Sequence, residues 1–188
     1  MTILSKNNEH GRSMVEMLGV LAIIGVLSVG GISGYSKAMA KYKLTKAQDQ
    51  ISMLLMNIRT AFATMPSYNG LDNTAAVSYN IAPGDMIAGT SAINHAFGGA
   101  VTVKVTNSAG AEDQTSGQYF FIKLDKLGRE ACVSLASSDW GTDGLVRMIV
   151  TPEGGSAGDY AAANMPRPIT GTNCGAKGVY NTIKWVYY

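Results

Sequence analysis

The sequence predicts an α+β protein: a long N-terminal α-helix, with an apolar transmembrane half and an amphipathic half, packed against an antiparallel β-sheet. Three observations carry this: a charge-free run from Met17 to Tyr35, a three-and-four apolar spacing from Leu44 to Met65, and strand-like alternation after Pro66. At 188 residues the chain fits one anchored segment and one modest globular domain. A net charge of +2 and a charged fraction of 15%, against a usual value of about a quarter, lack the basic footprint of a nucleic-acid binder. No specific nucleic-acid binding is expected.

The run Met17 to Tyr35 makes about 29 Å of helix at roughly 1.5 Å per residue, close to one hydrocarbon thickness. Its only hydroxyls before Tyr35 are Ser28 and Ser33, so it lacks the polar stripe of a soluble core helix and is predicted to enter a membrane. Glu16 stands at its mouth. Upstream, Lys6 is the sole basic side chain before Gly11 and is opposed by Glu9, unlike a conventional secretory signal. Downstream, Ala38 and Ala40 have the spacing of a secretory cleavage site, so release of a soluble domain beginning at Lys41 is the rival reading. Gly30, Gly31 and Gly34 weaken the helix by up to about 1 kcal/mol each relative to alanine, and Gly30 and Gly34 also have the spacing of a close helix-packing motif.

The helical pattern continues without a break. Leu44, Ala47, Ile51, Leu54, Ile58, Ala61 and Met65 form one apolar face, with Lys41, Lys43, Lys46, Gln48, Asp49, Gln50, Asn57 and Arg59 on the others, until Pro66 stops the helix. The apolar stripe needs a cover, and the rest of the chain supplies strands. Val101, Val103 and Val105 alternate with Thr102, Lys104 and Thr106; "GQYFFIKL", "GLVRMIVTPE" and "GVYNTIKWVYY" give further strands, and "EACVSLASS" a short helix carrying Cys132. Cys132 and Cys174 are the only cysteines and lack metal or redox spacing. A single disulfide is the better reading, two buried thiols the other; outside the cytoplasm the bridge would stabilise by about 4 kcal/mol on chain-entropy grounds.

Nothing in the chain resembles catalytic machinery. The letters "GGSAG" around Ser156 match a nucleophile elbow, but no histidine follows, and His10 and His95 both precede it. Phosphate loops and metal-spaced His/Cys sets do not occur, so neither enzyme activity nor a cofactor is expected. Asp139, Asp143 and Asp159 lie among glycines, a pattern open to calcium ligation and, more commonly, to plain acidic turns.

The segment "GRSMVEMLGVLAIIGVLSVGGISGY" resembles the class III leader and N-terminal helix of type IV pilins and their pseudopilin and minor-pilin relatives. The resemblance implies a pilin-like fold and a leader, 1–11, removed by a prepilin peptidase after Gly11. It implies N-methylation of the new terminus at Arg12, where the family more often has an apolar residue, and assembly register set by Glu16, fifth in the mature chain. Segments 12–36, 37–66 and 67–188 would then be the transmembrane and assembly helix, the amphipathic helix and the β-sheet domain. The glycines gain another implied use, local melting as the subunit passes from bilayer to fibre. Implied partners are like subunits, the peptidase, inner-membrane assembly machinery, membrane lipid before assembly, and a host-cell or surface receptor. The implied location is the bacterial inner membrane, then an extracellular pilus. Lys37, Lys41, Lys43 and Lys46 oppose this topology by the positive-inside rule; the resemblance and the cysteines favour it. "IAPGDMIAGTSAINHAFGGAVTV" resembles type IVb pilins through Asp85, Met86, Asn94, Phe97, Gly98 and Gly99, and the region between the cysteines is where the family carries subunit contacts or recognition.

Overall fold

A computed structural model describes residues 14–113, 116–141, 144–165, 173–175 and 178–188. The elements run α1 (Met14–Phe62), α2 (Asn73–Ser78), a 3-10 turn (Gly84–Met86), β1 (Ile93–Asn94), β2 (Ala100–Thr106), β3 (Tyr119–Leu127), α3 (Arg129–Ala136), β4 (Leu145–Pro152), β5 (Gly158–Ala161), a 3-10 turn (Ala162–Asn164) and β6 (Asn181–Tyr187). Two compact units divide at Lys41 and Tyr42. The first comprises the apolar part of α1; the second contains the rest of α1 and the sheet.

In the second unit the strands form one antiparallel sheet in the order β1-β2-β3-β6-β4-β5. The predicted alternation of β2 holds: Val101, Val103 and Val105 lie opposite Leu124, Ile122 and Phe120 of β3, and all are buried. The same face continues through Ile183, Trp185 and Tyr187 of β6 to Val150 and Met148 of β4. Ala47, Ile51, Leu54 and Ile58 of α1 belong to the same core, so the helix supplies the cover that its stripe required. Ile51, Leu54 and Ile58 each contribute about 1.5 to 3 kcal/mol by leaving water.

Two details differ from the periodicity. The helix ends at Phe62, leaving Ala61 and Met65 exposed. Met65 precedes Pro66, which disfavours helical backbone, and the chain turns so that Phe62 packs on Tyr68 at 5.5 Å. Gln50, assigned to a polar face, is instead 95% buried, since its relative exposure is 5%. It belongs with Gln48, whose amide donates to Ser138 Oγ (2.7 Å), and Asn57, which donates to Ile81 O (2.8 Å), in a polar margin that fastens α1 to the loops around the sheet.

The sheet's edge and outer face are also closed. The two-residue β1 leaves part of β2 unpaired, and the Asn73 side chain fills the gap, donating to Val101 O (2.8 Å) and accepting from Val103 N (2.7 Å). An amide side chain thus stands in for a strand, blunting an edge that would otherwise invite pairing. On the outer face, a Cβ at Gly110 would meet Ile149 and Val186, so the turn after β2 lies directly on the sheet. Lys184 donates from under it to Gly110 O at 3.2 Å, with its ammonium 4.5 Å from the Phe121 ring centre. Burial and neighbouring Lys123 both hold the Lys184 pKa below its usual value.

Candidate functional site

Among the described residues, the first unit presents an exposed apolar surface. Val15, Leu27 and Ile32 are 75%, 68% and 70% exposed, and every residue from Met14 to Ala38 is exposed. A contiguous apolar surface of this kind marks a membrane or protein-binding region, because water alone would select against it. α1 is long and apolar enough here to cross a bilayer. Glu16 lies in its first turn, where the helix dipole favours a carboxylate by roughly 0.3 to 1 kcal/mol. Gly11 and Arg12 lie outside the described residues. The helix runs unbroken through Gly30, Gly31 and Gly34, and a Cβ at any of them would meet nothing within 4 Å.

The second candidate region is the end of the sheet closed by Cys132 and Cys174, which form a disulfide with Cα atoms 6.0 Å apart. Cys132 sits in α3 as the sequence predicts, and both cysteines are buried. The enclosed segment is more than a surface loop, because it contributes β4 and β5 to the sheet. β6, returning from beyond Cys174, inserts between β3 and β4 and ties that segment to the rest. Asn181 opens β6: its buried amide donates to Leu127 O (3.1 Å) and Val179 O (3.3 Å), and its Oδ1 accepts from Gly175 N (2.7 Å), next to Cys174. Trp140 packs against Trp185 at 4.9 Å and donates to Leu135 O.

The acidic residues in this region serve local structure. Asp139 accepts from Gly141 N at 2.9 Å, an Asx turn, and Asp159 pairs with Arg147 at 2.6 Å. Asp143 lies outside the described residues, among which no group of three or more His, Cys, Asp or Glu is placed to hold a metal. Ser156 is exposed in the β4–β5 turn, with Gly154 at a φ of 73°.

His95 is buried elsewhere with both ring nitrogens engaged. Nδ1 accepts from Phe97 N (3.2 Å), so Nε2 carries the proton and donates to Asp125 O at 2.8 Å. That carbonyl is freed by the irregular pairing between Leu124 and Leu127, where Lys126 takes a φ of 57°. Gly99 is required by this approach, since an added Cβ would run into Asp125 O and His95 Nε2. Gln50 completes the arrangement, accepting from Ala96 N (3.0 Å) and donating to Asp85 Oδ2 (2.8 Å), which Lys46 also reaches at 3.1 Å. The Gln50 hydrogen bond, then Lys46, hold the Asp85 pKa below the usual carboxylate value. Burial lowers the His95 pKa, against a smaller opposing effect of the Asp125 carbonyl. Asp85, Met86 and the turn from Asn94 to Gly99 thus form one anchoring point between helix and sheet. Asn73 and Asn181 escaped the sequence reading because each amide bonds backbone groups of segments distant in the chain, Val101 and Val103 for Asn73 and Leu127 for Asn181.

A family model described as "PilS N terminal" matches residues 41–187. The major structural subunits of the bundle-forming pilus from two Escherichia coli strains, O127:H6 (strain E2348/69 / EPEC) and O111:H-, are each 28% identical over 146 residues, 74% of this chain and 70% of theirs. A type IVb pilin crystal structure from Salmonella typhi superposes with a TM-score of 0.51 at 20% identity, covering 77% of this chain and 97% of that one. That likeness is one of fold.

Proposed function

The chain belongs to the PilS N-terminal family, and from that premise we propose that it is a structural subunit of a type IV pilus, of the type IVb kind. One observation carries the reading: an exposed, charge-free apolar helix segment entered past a single carboxylate, Glu16, on a domain whose own core is complete without it. Before assembly, residues 12–36 span the inner membrane and the domain lies outside it. The prepilin peptidase removes residues 1–11, leaving a free and then methylated amino group on Arg12.

The chemistry of assembly follows from the solvent that the helix leaves. In a filament core an isolated carboxylate is costly, whereas one facing the terminal ammonium of a neighbouring subunit is compensated. An amine with an ordinary pKa near 8 is largely cationic at neutral pH, so Glu16 of one copy and the Arg12 terminus of the next select a single axial stagger. Apolar helix surface then supplies the adhesion and the charge pair the register. Gly30, Gly31 and Gly34 serve contacts between helices or a local loosening of α1 on leaving the bilayer. The inner-membrane machinery drives extraction, and the disulfide-closed end of the sheet faces outward to neighbours or a receptor. The protein acts by assembling and has no catalytic role in this scheme.

Mass analysis of the mature N-terminus, with electron microscopy of sheared fibres, tests this. A methylated chain beginning at Arg12 in fibres built chiefly of this protein is the expected result. A soluble product beginning at Lys41 with no fibres would overturn it.

A further inference from the structure

Between Glu16 and Asp49 the chain has no acidic residue, and its cations in that interval, Lys37, Lys41, Lys43 and Lys46, all follow the apolar run. Lys46 is paired with Asp85. Lys37 and Lys41 are exposed, and neither has a carboxylate partner among the described residues. Four positions apart on α1, they share one face. Tyr35, 69% exposed, precedes Lys37 by about 3 Å of helix rise.

The axial distance places them. Glu16 and Lys37 are separated by roughly 32 Å along α1, against about 30 Å for the hydrocarbon core of a bilayer. With Glu16 at one headgroup layer, Lys37 and Lys41 therefore stand at the other. An exposed tyrosine followed by lysines is the composition of a membrane boundary: the ring sits at the interface, and the lysine stems follow apolar surface until their ammonium groups reach the phosphates. The positive-inside bias acts against cations on the far side, so their presence there calls for a compensating anion.

We propose that Tyr35, Lys37 and Lys41 form a headgroup collar that binds anionic phospholipid in the outer leaflet of the inner membrane. This rests on the reading that residues 12–36 span the bilayer with the domain outside. The collar reads net headgroup charge, because the cation of a zwitterionic headgroup offsets its own phosphate. It holds the subunit at a fixed depth until assembly, and extraction into the fibre breaks these contacts.

The full chain reconstituted into phosphatidylcholine vesicles, with trace spin-labelled phosphatidylglycerol or spin-labelled phosphatidylcholine, tests the collar through the fraction of label immobilised at the protein. A preference for phosphatidylglycerol of about fivefold at low salt is expected, shrinking as salt screens the ammonium groups. Lys37→Gln with Lys41→Gln keeps helix propensity and insertion, checked by co-flotation, and brings the preference close to parity. Lys104→Gln, remote in sequence and in the sheet domain, leaves it unchanged. Equal immobilisation of both lipids by the wild type, or an undiminished preference in the double variant, would overturn the collar. Failure of the wild type to co-float at all would instead overturn the spanning reading.

Discussion

Along α1, Ala47, Ile51, Leu54 and Ile58 are fully buried against the sheet, whereas Val15, Leu18, Leu27 and Ile32, residues of the same chemical kind, stand more than half exposed. Residue type does not separate these two regions. The separation lies in the covering surface: Tyr42–Phe62 packs on the sheet of its own unit, and in the proposed function a bilayer and then other copies cover the first unit. Changes in the two regions should therefore report in different assays, folding stability for one and insertion or assembly for the other.

The largest expected effect is on the folded domain. Replacing Cys132 and Cys174 together by serine removes the bridge that closes the β4–β5 segment and should cost about 2 to 5 kcal/mol, read as a lowered thermal midpoint. Next comes a matched pair. Leu54→Ala should cost about 2 to 5 kcal/mol, while Leu27→Ala should change domain stability by less than about 0.5 kcal/mol and reduce fibre yield instead. Equal destabilisation by both would break the comparison.

Glycines sharpen it further. Gly99→Ala forces apart His95 and the Asp125 carbonyl and should destabilise by roughly 1 to 3 kcal/mol, whereas Gly30→Ala meets open space and should leave the domain's melting unchanged. The smallest effect is a pH dependence confined to the second unit. His95 is held neutral in the fold, below its ordinary pKa of 6.5, so the unfolded chain binds the extra proton first. The associated stability is complete above pH 6.5 and declines as pH falls below it, since a protonated Nδ1 cannot accept from Phe97 N. Denaturant midpoints measured from pH 8 to 5 should show this loss for the wild type and a flatter profile for His95→Gln.

Much of this fold was legible because it follows from periodicity. The Val101–Val105 alternation and the Ala47–Ile58 stripe each name a face, and only one arrangement buries both. Short elements escaped: β1 and β5 carry too few residues for a pattern, and α2 is fixed by its Asp72 cap, which accepts from Ala75 N at 2.7 Å. Gln50 was misplaced because hydropathy sees an amide and not the backbone N–H of Ala96 that satisfies it. In the candidate site, Glu16 and the cysteine pair stood out as exceptions to their surroundings, an acid at an apolar boundary and thiols without metal spacing. Lys37 and Lys41 oppose the proposed topology by the positive-inside rule, and the sequence alone names no anion to offset them.

Fibre yield from cells carrying Glu16→Gln, with subunit level and leader removal followed in parallel, tests the central claim most directly. Glutamine keeps the size and polarity of the side chain and removes its charge. The expected outcome is a subunit that accumulates in the membrane, correctly trimmed after Gly11, with fibres lost or far fewer. Fibres in normal number and shape from that variant would contradict the account.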